Sequence, residues 1–278
     1  MTMLTMSILD SKGKIKEGFF SHDKEKQMIS ASGEDFVQLA LQDFQYEDGD
    51  DIMITLDQSG VFLVVKLDET LDSTMIYLKE KEWRYKVKRT QNALEAAPQF
   101  RFAGNCHYLR ARLATSAEVR TYRNIALNPH DQKNESGVYP HAWANVETRD
   151  DATFFACNAI DGVFANRSHG NYPYGSWGIN QQLDAALTIE FGKEVQVDHV
   201  RLTLRADFPH DNYWENVTAV FSDGSSETFV TTKTDGGQSF DFKKRRTTSI
   251  TLCHLIQSDD PSPFPALTQV EVFGYYEF

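Results

Sequence analysis

Hydrophobic and polar residues alternate with a period of two along much of the chain. Ile52, Ile54 and Leu56 fall on one side of an extended segment, and the same alternation recurs over 187–191 and 200–205. Residues 61–67 are instead almost continuously apolar, which is typical of a strand in the middle of a sheet. The pattern therefore predicts an all-β protein.

Further short strands are predicted at 75–78 and 83–87, and residues 1–30 are predicted to contain a lead-in strand. The Asp-Gly pair within 222–225 favours a two-residue hairpin turn, because that turn requires positive φ angles. The best helical candidate is the short segment 35–42. Short strands separated by closely spaced turns are typical of a β-sandwich or barrel.

The chain is 278 residues long, which suits one large domain or two of ordinary size. The polar, turn-rich segment 128–137 has the composition of a linker. A short echo, Glu-Val-x-x-Tyr, occurs at 118–122 and again at 271–275, where each copy is interpreted as part of a closing strand. We therefore predict two tandem β-sandwiches, an N-terminal one of unknown role over 1–125 and a second over 138–278.

The formal net charge of −12 argues against a nucleic-acid partner, because binding phosphates requires clustered Lys and Arg. The basic run 243–246 is only four residues long, and we interpret it as the end of a hairpin. The three cysteines are not spaced for a disulfide framework or a CxxC zinc site.

The sequence has no run of 18 apolar residues, so no membrane span is expected. Its first residues lack the basic and apolar regions of a signal peptide. As written, the chain is expected in the cytoplasm, and it would be extracellular if a leader has been removed.

The second half carries a set of short motifs in a characteristic order. They are Ala144-Asn145-Val146-Glu147, Asn158-Ala159-Ile160-Asp161-Gly162, Trp177, 187–193, Val195, Val197, Asp198, Arg205 and Val270-Glu271-Val272-Phe273-Gly274. From about residue 140 to 278 the chain resembles the discoidin, or coagulation factor 5/8 type C, family of galactose-binding-like domains, which includes bacterial carbohydrate-binding modules. The resemblance implies a non-catalytic, lectin-like jelly-roll that binds glycans with loops at one end.

Many members of that family also hold a structural calcium ion. The resemblance implies Asp161 and Glu271 as ligands here, with Asn166 as a third oxygen donor. The sequence departs from the family pattern over 163–170, where relatives often carry an acidic, Thr-containing loop. In the alternative interpretation, Asp161 closes an Asx-turn and Glu271 forms a salt bridge or caps a loop.

The decapeptide from Arg205 to Trp214 follows a predicted strand and is too polar to be buried throughout. Sugar sites combine flat aromatic rings, which cover C–H surface, with fixed polar groups that bind hydroxyls. The candidate ligand-binding residues are Arg205, Asp207, His210, Asp211, Trp214, Trp177, His169 and Tyr172. The alternatives are an Arg205–Asp207 pair, a Trp177 that fills the sandwich interior, and a His210–Asp211 hydrogen bond that only braces the loop.

No HExxH, GxSxG, phosphate-binding loop or dinucleotide motif is present, so no enzymatic activity is expected. A zinc site from His130, His141 and His169 is a weaker hypothesis, because loops can converge without a motif. Glycan binding is the leading function. Protein–protein interaction on the same fold is the alternative, and a glycoside hydrolase with an unrecognised site comes third.

Overall fold

The computed structural model describes residues 1–20, 25–134 and 136–277. Residues 21–24 of the predicted lead-in segment, Glu135 of the predicted linker and Phe278 lie outside the described residues. The all-β prediction is confirmed, since strands dominate the described chain and its helices are short. None of these helices is both long enough and apolar enough to cross a membrane.

The chain forms two compact units. The first comprises Met1–Thr115 with Ser136–Val138, and the second comprises Ser116–Glu135 with Tyr139–Phe278. The predicted linker segment therefore lies mostly within the second unit. Its side chains account for this placement, since Asn128 is buried and donates from Nδ2 to the carbonyl of Pro140 at 2.8 Å.

The first unit is a sandwich of two antiparallel sheets. Its strands are β1 (Met3–Leu9), β2 (Glu17–Gly18), β3 (Gln27–Met28), β4 (Ser30–Glu34), β5 (Phe36–Leu41), β6 (Asp51–Leu56), β7 (Val61–Lys66), β8 (Thr74–Leu78), β9 (Glu82–Lys86) and β10 (His107–Leu113), and a short helix α1 spans Gln91–Glu95. One sheet has the order β4-β1-β6-β9, and the other contains β8-β7-β10-β5. Alternate residues of both sheets form one apolar core, which Leu4, Ile54, Leu63 and Leu109 exemplify.

The helix prediction for 35–42 is wrong, because this segment forms strand β5. Val37, Leu39 and Leu41 are buried while the residues between them are exposed, as the pleat of a strand requires. The apolar residues of this segment alternate with a period of two, and this alternation favours a strand over the short helix that was expected. The strands predicted at 75–78 and 83–87 are confirmed as β8 and β9.

The second unit is built around long strands. Its elements are α2 (Ser116–Arg120), β11 (Arg123–Asn124), β12 (Val138–Tyr139, whose Val138 belongs to the first unit), β13 (His141–Ala144), 3-10 helices at Thr148–Asp150, Ala152–Phe154 and Ala156–Ile160, β14 (Trp177–Gly178), β15 (Leu187–Leu204), β16 (Trp214–Phe221), β17 (Ser226–Val230), β18 (Gln238–Gln257) and β19 (Ala266–Tyr276). The main order of strands is β11-β19-β15-β18-β16-β17.

Strand β15 changes its neighbours along its length. Its first part, 187–190, pairs with β13, and its later part, 195–204, pairs with β19, while β18 runs beside both parts. The register shifts between these parts, where Gly192 adopts a φ of +68° against the ring of Tyr139. A side chain at this position would collide with that ring, so glycine permits the bend.

Two further interpretations of the sequence are corrected. The segment 118–122 does not form a closing strand, because Ser116–Arg120 is helix α2, so the echo with 271–275 has no structural counterpart. The basic run 243–246 lies inside β18 and not at a hairpin end. The last three of its residues form ion pairs with carboxylates, as the pair between Arg245 and Glu227 illustrates.

The hairpin predicted at 222–225 is present between β16 and β17. Phe221 N donates to the carbonyl of Ser225 at 2.9 Å, so three residues separate the paired positions and not the two expected. Gly224 occupies the last of the three with a φ of +82°, which glycine adopts without strain.

Candidate functional site

A pocket of about 300 Å³ opens in the second unit where several loops meet. It lies next to the end of β14, just beyond the end of β15 and just before the start of β19. The side chains that matter most for its chemistry are those of Arg149, Phe154, His169, Asn180, His210 and Phe264. The pocket therefore contains flat rings, a guanidinium and an amide within a small volume.

The loop after β15 is braced by a buried ion pair. Arg205 donates from Nη2 to Asp211 Oδ1 at 2.7 Å and from Nε to Asp211 Oδ2 at 2.9 Å, and both side chains are almost completely buried. Asp211 also accepts from the backbone N–H of Asp207 at 2.9 Å. The partner of Arg205 is thus Asp211 and not Asp207, and a two-point contact of this kind fixes the loop firmly.

A second brace holds the loop that precedes β19. The buried Asn212 directs its Nδ2 at the carbonyl oxygens of Ser258, Asp260 and Ser262, at 3.2, 2.9 and 3.0 Å. Arg205 Nη2 adds a contact to the carbonyl of Phe264 at 3.2 Å. The two braces together fix the loops that carry His210 and Phe264.

Three rings stack at the mouth of the pocket. The centroids of His169 and His210 are 4.1 Å apart with planes 9° from parallel, and those of His210 and Phe264 are 5.0 Å apart with planes 10° from parallel. His169 Nδ1 lies 2.7 Å from Asp207 Oδ2, and His210 Nδ1 lies 3.0 Å from Asp211 Oδ1. In the neutral imidazoles these contacts place the proton on Nδ1, which leaves Nε2 as an acceptor.

The candidate residues from the sequence divide into two groups. Arg205, Asp211, Trp177 and Trp214 are buried, and Trp177 donates from Nε1 to the carbonyl of Val146 at 2.9 Å. His169 and His210 are exposed and line the pocket, and Asp207 is partly exposed beside His169. Tyr172 is 43% exposed, and it is not among the residues that line the pocket.

Both tryptophans are buried, so neither can stack on a ligand at the surface. Trp214 is 1% exposed and lies in β16, and its ring centroid is 6.1 Å from that of Trp177. The Arg205-to-Trp214 segment is thus fixed at both ends in the interior, while Asp207 and Phe208 are partly exposed and Pro209 and His210 are exposed. The interpretation of Trp177 as a residue that fills the sandwich agrees with this geometry.

Sequence reasoning missed Phe264, Phe154 and Arg149. Phe264 is 41% exposed between Pro263 and Pro265, and an aromatic residue flanked by prolines in a polar segment was a usable signal. Phe154 is buried in a short 3-10 helix, with the guanidinium of Arg149 5.5 Å from its ring centroid. Nothing in the sequence separates these two residues from ordinary core and surface positions.

The zinc hypothesis from His130, His141 and His169 is not supported by their positions. The described residues do not bring these three side chains into one group, since His141 is buried against Asp131 at 2.8 Å while His169 stands at the pocket. Burial raises the pKa of Asp131, and the hydrogen bond from His141 opposes that shift. This buried pair supports β13 and does not face the pocket.

His169, Asp207 and His210 do bring potential metal-ligating atoms within 4.8 Å of one another. The lone pairs of an imidazole lie in the plane of its ring, and the two rings here are nearly parallel. Their lone pairs therefore do not converge on a common point. A tetrahedral metal would require one ring to turn and the stack to break.

The three residues predicted to bind calcium each make contacts within the protein. Asp161 ends a 3-10 helix, and its Oδ1 accepts from the backbone N–H of Val163 at 2.8 Å, as in an Asx-turn. Asn166 is buried and donates from Nδ2 to the carbonyls of Leu204 and Asp235. Glu271 lies 3.7 Å from Arg201 on the neighbouring strand.

No protein-family model matches the sequence, and no curated protein matches it either. Among solved structures, the chain is similar to the lectin domain of Lectinolysin complexed with Lewis B antigen, with 19% identity and a TM-score of 0.40 over 54% of this chain and 95% of that one.

Two further structures are similar over about half of the chain. The family 32 carbohydrate-binding module of C. perfringens NanJ, in complex with galactose, is 17% identical with a TM-score of 0.37 and covers 48% of this chain and 91% of that one. Chitosan-binding module 1 of a chitosanase/glucanase from Paenibacillus sp. IK-5 is 21% identical with a TM-score of 0.36, and the match covers 54% of this chain and 98% of that one.

Proposed function

We propose that the second unit binds carbohydrate, without catalysis, in the pocket that Phe264 borders. The observation that carries the proposal is the exposed, immobilised ring of Phe264 beside a small pocket with polar walls. Phe264 stacks by one face on His210 and remains 41% exposed. A flat ring held in this way suits the apolar face of a pyranose, because stacking removes C–H surface from water.

The polar groups of the pocket match the hydroxyls of a sugar. The two histidines present Nε2 as an acceptor, whereas the guanidinium of Arg149 and the side chain of Asn180 add donors. Since the buried pair Arg205–Asp211 and the Asn212 brace fix the loops, ligand binding orders few side chains, which preserves affinity. The buried candidates thus act as supports, and the ligand contacts fall to the exposed residues.

The test begins with a glycan array probed with the labelled full-length chain, followed by titration of the best-bound free oligosaccharide. Phe264→Ala should weaken binding by about 5- to 30-fold, since a stacking ring contributes about 1–2 kcal/mol. Phe164→Ala is the matched control, because Phe164 is 46% exposed and does not line the pocket. Thermal unfolding should show that both variants fold.

Three outcomes would count against the proposal. The first is an array on which no glycan is retained, and the second is equal binding by the Phe264→Ala and wild-type chains. The third is cleavage of a chromogenic glycoside that Phe264→Ala abolishes, which would turn the pocket from a binding site into a catalytic one.

A further inference from the structure

The side chain of Gln269 occupies the centre of the loop formed by residues 158–162. Gln269 lies on β19 and is 2% exposed. Its Nε2 is 2.6 Å from the carbonyl oxygen of Asn158 and 2.6 Å from Asp161 Oδ1, and its Oε1 accepts from the backbone N–H of Gly162 at 3.1 Å. One amide thus connects the last strand to both sides of a loop more than 100 residues earlier.

The chemistry of these partners fixes the orientation of the amide. The backbone N–H of Gly162 can only donate, so it requires the oxygen of Gln269. The carbonyl of Asn158 and the carboxylate of Asp161 can only accept, so they require the NH₂ group. Turning the amide over would break all three hydrogen bonds.

A calcium ion does not fit this arrangement. Calcium requires six to eight oxygen ligands, and here a nitrogen with two protons faces the carbonyl and the carboxylate that an ion would need. Of the other two predicted ligands, Glu271 Oε2 is buried without a hydrogen bond, 3.7 Å from Arg201 Nε, and the Asn166 amide nitrogen donates to the carbonyls of Leu204 and Asp235. The amide of Gln269 thus satisfies the Asn158 carbonyl, Asp161 Oδ1 and the backbone N–H of Gly162.

We propose that the Gln269 amide takes the place of a cation in this loop, so that the second unit folds without calcium. Residue 269 alone then decides whether the loop is closed by an amide or by a bound calcium ion. A glutamate at this position would keep an acceptor for the N–H of Gly162. It would also bring a second carboxylate against Asp161 and the Asn158 carbonyl. Two carboxylates and a carbonyl at this separation repel one another unless a cation lies between them.

The experiment compares the full-length wild-type chain with the Gln269→Glu variant, each in EDTA and in millimolar calcium chloride. The wild-type chain should retain no calcium after gel filtration, as measured by mass spectrometry of the metal, and should melt at the same temperature in both buffers. Gln269→Glu should melt about 5–10 °C higher in calcium than in EDTA, the shift expected of a ligand present far above its Kd.

The matched control is Glu271→Gln, which makes the reverse change two residues along the same strand. It should leave the melting temperature independent of calcium. Stoichiometric calcium in the wild-type chain, or a lower melting temperature in EDTA, would overturn the proposal. A Gln269→Glu chain that melts at the same temperature in both buffers, or does not fold even in calcium, would show that residue 269 does not by itself decide whether the loop binds calcium. These results do not depend on whether the pocket binds carbohydrate.

Discussion

The pocket loops and the loop at 158–162 are both polar segments of the second unit, and they use their polar groups differently. At 158–162 the polar atoms face inward, where Gln269 satisfies the carbonyl of Asn158 and the carboxylate of Asp161. At the pocket, Arg205 and Asp211 satisfy each other below the surface, and the rings of His210 and Phe264 remain exposed above them. The same kinds of residue therefore hold a loop to a strand at 158–162 and form a candidate binding site at the pocket.

Burial and hydrogen-bond partners, and not residue type, distinguish the residues that support the loops from those that are available to bind a ligand. Asp211 and Asp207 stand four residues apart in one loop, yet the first is fully buried beneath Arg205 and the second reaches solvent beside His169. A variant that removes a support should lower stability, whereas one that removes an exposed contact should lower affinity alone.

The largest expected effect follows from breaking the buried ion pair. Arg205→Ala should lower the free energy of unfolding by about 3–5 kcal/mol, because it leaves the Asp211 carboxylate buried without its main partner. Urea unfolding followed by tryptophan fluorescence measures the change. A loss below about 1 kcal/mol would mean that the pair is not a support.

Trp214→Ala should cost nearly as much, about 3–5 kcal/mol, since it leaves a large cavity beside Trp177. Tyr172→Ala is the comparison, because an exposed ring can be removed at a cost of about 0.5 kcal/mol or less. Denaturant curves of both variants test the difference. Equal losses would contradict the division into buried supports and exposed contacts.

Asn212→Ala should have an intermediate effect of about 1–3 kcal/mol, since it leaves the carbonyls of Ser258, Asp260 and Ser262 without their shared donor. It should also weaken glycan binding, because the loop it releases carries Phe264. Unfolding curves and glycan titration together test this prediction. Unchanged affinity in a destabilised variant would show that the position of Phe264 does not depend on the brace.

The smallest expected effect is a response to acid in the same loop. The backbone N–H of Ser262 and the ammonium of Lys233 lower the pKa of Asp260 below its usual 3.8. A carboxyl group with a lowered pKa stabilises the fold above its unfolded value, and that contribution is lost as the pH falls through the lowered value. Between pH 5 and about pH 3, Asp260→Asn should therefore lose slightly less thermal stability than the wild-type chain. Parallel acid profiles would contradict this.

Much of the fold was predictable because it depends on local alternation. The period of two in residues 52–56 and 187–191 produced strands where the sequence indicated them. The pocket was harder to predict, because its members come from loops far apart in the chain and only coordinates bring His169, His210 and Phe264 together. Glu271 was chosen from the resemblance, yet Gln269, two residues earlier on the same strand, is the residue that contacts Asp161.

The last strand also affects how the second unit is made. The backbone N–H of Val272 bonds to the side chain of Asn124, 148 positions earlier, and Gln269 bonds to the carbonyl of Asn158, 111 positions earlier. These contacts cannot form until β19 leaves the ribosome, so the earlier strands must wait with unpaired edges during synthesis. Emergence of β19 is therefore the step on which a nascent chain of this kind depends most for protection from aggregation.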